Sequence, residues 1–209
     1  MQATKRKTVF ISGSAYEYGR FGEDGRVFIR ELSKTLLKNG FSIISGFGSG
    51  VGNYVVEGAL HEIYASGNSK LTDQLRVFPF PVLTDLLENI QKSYRDDMIS
   101  QAGTAIFLFG NKLEDICIRE ADGMQKEFDI ARSHQALLIP VGASGYISEK
   151  LWLEMVRKYD DYFNSREKFE LYEQLGNPEA RPEELINTIL QIAQQHPPIT
   201  PPNNEKGIH

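Results

Sequence analysis

The chain has 209 residues, 41% of them apolar and 24% charged, which suits one sizeable α/β domain. Its net charge of −5 gives no support to a nucleic-acid surface, though local basic residues can still bind a small anion, and no apolar run is long enough to span a bilayer. A single cysteine and four scattered histidines exclude an internal disulfide framework, a multi-cysteine zinc site and the usual paired-histidine metal motifs.

The opening MQATKRKTVFISGS moves from a basic lead straight into a strand pattern, without the apolar region and cleavage site of a secretory signal. A cytoplasmic location is expected. The first strand, TVFISG, runs into the loop SGSAYEYGRFGEDG. GRVFIRELSKTLLKNG then places Phe28, Leu32, Leu36 and Leu37 on one helical face and stops at Gly40. A second strand, FSIISG, leads into SGFGSGVGN, where Gly46, Gly48, Gly50 and Gly52 alternate with other residues, and the helix NYVVEGALHEIYASG follows. LRVFPFP is a third strand, LTDLLENIQKSYRDDMISQAG a third helix, TAIFLFG a fourth strand, GMQKEFDIARSHQ a fourth helix and ALLIPVG a fifth strand. Three later helical stretches, beginning at YISEKL, SREKFE and PEELIN, complete an outer layer.

The strand runs are short, β-branched or aromatic, and end in Gly or Pro. They are apolar throughout rather than alternating, as in a parallel sheet covered on both faces. The βαβ alternation predicts an α/β, Rossmann-like, doubly wound and mainly parallel sheet with helices on both faces and ligands at the carboxyl ends of its strands. One domain is expected over residues 1–196, followed by a proline- and asparagine-rich flexible tail at 197–209.

The first two strands end in small-residue loops that emerge side by side if the strands are neighbours. The second loop opens a helix, whose free N–H groups and positive dipole end favour an anion such as a pyrophosphate. A tight turn packed for steric reasons is the alternative. Neither a P-loop, which needs GxxxxGK[ST], nor a dinucleotide GxGxxG after the first strand is present. Three charged residues accompany the loops. Arg95 lies within the third helix, where it can instead pair with a neighbouring Asp. Lys112 follows the fourth strand in LFGNK, where solvation is its ordinary fate. Glu127 sits near the start of the fourth helix, where it suits the dipole and can also accept hydrogen bonds from ribose hydroxyls. Cys117 has no nearby His to make it a nucleophile.

Taken in order, VFISGSA, SGFGSGVGN, Arg95, LFGNK and the Glu127 helix resemble the SLOG superfamily, the Rossmann-like domains related to the LOG nucleotide phosphoribohydrolases and the Smf/DprA proteins. The resemblance runs from about Lys7 to the last helix. Within that superfamily the chain is similar to the C-terminal sensor domain of Thoeris antiphage effectors, which follows a sirtuin-like NADase domain. The resemblance implies a regulatory site for a cyclic ADP-ribose isomer made by a partner TIR-domain protein, with no cofactor or metal, and self-association of the domain. By motif, the implied ligand-binding residues are Gly13, Ser14 and Ala15; Gly48, Ser49, Gly50, Val51 and Gly52; Arg95; Asn111 and Lys112; and Glu127. LOG hydrolases carry PGGxGTxxE where this chain has READGMQKE. The glutamate remains and the glycine elements are gone, which favours sensing. The alternative is a nucleotide N-glycosidase in which Glu127 stabilises an oxocarbenium-like centre and Arg95 orients phosphate. The sirtuin-like domain is absent from the sequence, so a sensor domain by itself is expected.

Overall fold

Apolar runs without alternation need cover on both faces, and the topology supplies it. In the computed structural model, which describes residues 5, 7–67, 71–79, 88–163 and 165–195, the strands are β1 (Thr8–Ser14), β2 (Ser42–Ser45), β3 (Leu75–Val77), β4 (Thr104–Phe109), a hairpin of β5 (Asn111–Glu114) and β6 (Cys117–Glu120), and β7 (Leu137–Pro140). Five of them form one parallel sheet in the order β3-β2-β1-β4-β7. These are the five strands expected from the sequence, in an α/β, Rossmann-like arrangement. The expected tail at 197–209 lies outside the described residues, as does the expected third helix before Glu88.

The chain moves outward from β1 through β2 to β3, then returns to place β4 on the other side of β1. Right-handed crossovers running in opposite directions put their helices on opposite faces. On one side α1 (Asp24–Lys38) packs against α2 (Gly52–Ser66) and, from the end of the chain, α9 (Pro182–Gln194). On the other, α4 (Glu88–Ile99) packs against α5 (Asp122–Ser133), and α5 against α6 (Tyr146–Arg157). The short α3 (Leu71–Gln74) precedes β3, and α7 (Tyr159–Tyr162) and α8 (Arg166–Gln174) join α6 to α9. Among the described residues no helix is long and apolar enough to cross a membrane.

The predicted apolar face of α1 is buried: Phe28, Leu32, Leu36 and Leu37 all lie in the core. Every residue of β4 is buried as well, and Phe107 meets Phe128 of α5 edge to face at 5.3 Å. The late helices close on β7 through the buried Tyr172, whose hydroxyl donates to Leu138 O at 2.6 Å.

The hairpin was not legible as strands. Its two-residue turn, Asp115–Ile116, has φ of 49° and 60°, as such hairpin turns require, but lacks the usual Asn-Gly or Asp-Gly signal. Cys117 opens β6 and is exposed.

What positions the site is the crossing of the loops after β1 and β2. The Ala15 N–H donates to Ser49 O at 2.8 Å, and the Tyr18 hydroxyl donates to Gly50 O at 2.8 Å. A Cβ on Gly48 would lie 1.9 Å from Gly13 O, and one on Gly50 would lie 1.8 Å from Ala15 O. Backbone packs on backbone there, and only glycine fits. Gly48→Ala and Gly50→Ala should therefore each cost about 1–3 kcal/mol of stability or more, the range for forced overpacking. Gly46→Ala meets nothing closer than the flexible Met98 side chain, at 3.5 Å, and should cost under about 1 kcal/mol. Chemical denaturation of the three variants checks the ranking; equal losses would show that the crossing tolerates a side chain.

Candidate functional site

β1 is apolar until its carboxyl end, where Ser12 and Ser14 fall on one face of the strand by its two-residue period. β1 and β4 are also where the strand order reverses, the crevice in which open α/β sheets bind ligands. α5 begins directly after the hairpin, because Ala121 N–H donates to Gly110 O at 2.9 Å and so ties the base of β6 to the end of β4. That connection brings the first two turns of α5 against β1.

Three elements then contribute one polar cluster. Ser12 from β1, itself buried, donates its hydroxyl to Glu127 Oε2 of α5 at 2.6 Å. Arg95 of α4 places Nε 3.7 Å from Glu127 Oε1, with both side chains largely buried. The guanidinium also passes close to the start of α5, since a Cβ on Gly123 would lie 3.4 Å from its Nη2. Burial pushes the Glu127 carboxyl above its ordinary range; the Ser12 hydrogen bond and the Arg95 charge pull it back only in part.

A cavity of about 200 Å³ surrounds this cluster, lined by β1 from Ile11 to Ser14, Gly46, Gly48, Arg95, Ala121, Gly123, Met124 and Glu127. The Ser14 hydroxyl is buried there with no hydrogen-bond partner among the described residues. Arg95 also walls a larger cleft of about 600 Å³ between α4 and α5, with Glu88, Asn89, Lys92, Lys126, Asp129 and Ile130. Arg95 therefore borders both a tight, glycine-walled space and a roomy one.

Of the residues expected at the site, Gly13, Ser14, Gly48, Arg95 and Glu127 come together around the cavity. Ala15, Ser49 and Gly50 make the loop crossing instead. Val51 is buried beneath Gly13, and Gly52 opens α2. The N–H groups of Val51 and Gly52 are directed at Gly48 O, at 3.2 and 2.7 Å, so they complete the turn. Asn111 is buried, accepting from the N–H groups of Tyr16 and Glu17 and donating to Glu17 O, which fastens the loop after β1. Lys112 lies on the hairpin, 3.2 Å from Glu114, in a separate polar depression with Arg119. It does not line the cavity. Ser12, Gly46, Gly123 and Met124 were not foreseen; for Ser12 the signal was available, a serine sharing the face of Ser14 in an otherwise apolar strand.

Comparison with known proteins agrees with this architecture. The model of the Sir2- and TIR-associating SLOG family matches residues 1–196. The NAD(+) hydrolase ThsA of Bacillus cereus is 41% identical over 194 residues, covering 91% of this chain and 40% of that protein. Proteins of the same name from Cytobacillus dafuensis and Acinetobacter baumannii are 40% and 38% identical, covering 92% and 91% of this chain and 40% and 43% of theirs. The chain thus spans about two fifths of the length of these relatives. It belongs to the Sir2- and TIR-associating SLOG family.

Because the folded chain holds the Glu127 proton more tightly than the unfolded chain does, this group's contribution to stability declines as pH rises from the ordinary carboxylate range through the raised folded value. Glu127→Gln removes that dependence. Urea unfolding between about pH 4 and about pH 8 should show the wild type losing stability relative to the variant as pH rises. A constant difference would mean that the carboxyl titrates as in the unfolded chain.

Proposed function

From that membership we propose that this domain is a ligand-sensing regulatory module: it binds a cyclic ADP-ribose isomer made by a TIR-domain protein and thereby activates a linked NAD⁺-hydrolysing domain in antiphage defence. The observation that carries the reading is the Ser12–Glu127–Arg95 cluster, set against glycine backbone at the switch point of the sheet.

Each part has a task on a ribosyl diphosphate. Arg95 offers a planar fork to the phosphate oxygens. Gly46 and Gly48 let the sugar–phosphate chain approach the backbone. The Ser14 hydroxyl can donate or accept, and Glu127 accepts from a ribose hydroxyl. A cavity of about 200 Å³ falls below the roughly 300–1,000 Å³ of ordinary ligand pockets, so a ligand of this size also uses the cleft beyond Arg95. The relatives' name, NAD(+) hydrolase, supports the link to such a domain. In this reading the protein works in the cytoplasm as a homo-oligomer.

The second reading, an N-glycosidase, draws on the same Glu127, whose raised carboxyl lies within the cavity. Incubation with AMP separates the two: a sensor returns AMP intact, whereas released adenine establishes the enzyme.

Calorimetric titration with a panel of cyclic ADP-ribose isomers differing in ribosyl linkage tests the proposal. At least one should bind. Arg95→Ala should weaken it by about 1.5–3 kcal/mol, the range for hydrogen bonds to charged groups, or roughly ten- to a hundredfold. Arg95→Lys should not restore affinity, since a point charge cannot reproduce the fork. Absence of binding by every isomer would overturn the reading.

A further inference from the structure

Phe47 is an anomaly in its loop. Its neighbours Gly46, Gly48, Ser49 and Gly50 are all small, yet it carries a large ring while its backbone has φ of 56°, the left-handed region that favours glycine. The conformation is held in place: the Phe47 N–H donates to Ser45 Oγ at 3.1 Å. A side chain kept there at a backbone cost normally repays it by burial in the core. This one does not, being 40% exposed. The ring rests against the start of α2, where a Cβ on Gly52 would lie 3.0 Å from its Cδ2, and part of the residue stays open to solvent. The residues on both sides of it, Gly46 and Gly48, line the cavity. An exposed aromatic residue therefore sits between two residues that line the glycine-walled space, on a fixed backbone.

We infer that Phe47 is the platform on which the aromatic base of the bound nucleotide stacks, and so the residue that makes this site recognise a base as well as phosphates. The inference rests on the proposed nucleotide-binding function. Stacking explains what folding does not. A purine offers a flat apolar face to an exposed phenyl ring, and a ring whose loop is already fixed loses little freedom on binding. The Arg95–Glu127 cluster reads charge and hydroxyls; neither group reads the base. Tyr64, more exposed at 72%, lies in the last turn of α2 and serves as the comparison for simple loss of an exposed aromatic.

The test uses the full chain and the cyclic ADP-ribose isomer that binds wild type most tightly. Phe47→Asn suits the left-handed backbone and should melt within a few degrees of wild type, yet bind about tenfold or more weakly, as expected for loss of one base–aromatic stack. Phe47→Tyr should restore wild-type affinity, and Phe47→Leu, apolar but without a ring, should not. Wild-type binding should quench adenine absorbance near 260 nm, and Phe47→Asn should lose that quenching even at ligand saturation. Tyr64→Ala should bind as wild type does. Equal affinity and equal quenching for wild type and Phe47→Asn would overturn the inference while leaving the sensor reading intact. Failure of wild type to bind any isomer would overturn both.

Discussion

Everything at the candidate site depends on two loops that touch through their backbones. Gly48 and Gly50 sit where a single Cβ would collide with Gly13 O and Ala15 O, so the loop after β2 can lie flat on the loop after β1. That contact fixes the end of β1, and with it the direction in which Ser12 and Ser14 present their hydroxyls. It also answers what the glycine run is for. The alternate glycines are first a packing device: only Gly46 and Gly48 of the four border the cavity, and Gly50 and Gly52 hold the crossing and the start of α2.

Onto this frame the fold brings a buried ion pair, which is an expensive object. Desolvating a carboxylate and a guanidinium costs several kcal/mol per ion, so such pairs roughly break even against apolar replacements. Glu127 is accordingly left with its carboxyl raised despite Ser12 and Arg95. A cluster of that kind is a poor stabiliser. Its members come from β1, α4 and α5, so its arrangement is sensitive to how those three elements pack.

The legible part of this structure was the part governed by period and by strand ends. Five apolar runs gave five parallel strands, and Phe28, Leu32, Leu36 and Leu37 gave the buried face of α1. Arg95 and Glu127 were readable as candidates and do meet. What could not be read depended on tertiary geometry. Asn111 was a ligand-binding candidate through the resemblance alone, and its amide hydrogen-bonds the backbone of Tyr16 and Glu17. Lys112 follows β4 directly in sequence, yet a hairpin whose turn places Ile116 at positive φ carries it away from the cavity. No local signal announces that turn, because a β-branched residue is among the least expected there.

On the proposed reading, the position of Arg95 has a consequence that neither space alone would have. Arg95 borders both the glycine-lined cavity and the α4–α5 cleft, and its guanidinium lies beside Glu127. A phosphate entering from the cavity side competes with that carboxylate for the same fork. Glu127 then loses part of the attraction that holds its charge and relies on Ser12 and on ribose hydroxyls instead. Arg95 is on α4 and Glu127 on α5, so a ligand that redistributes this pairing changes the force between two helices on one face of the sheet. Any shift in their packing is limited by the ligand's differential affinity for the two arrangements. A pair near break-even asks little of that difference, which makes a marginal buried ion pair a better element for a sensor than a strong one would be.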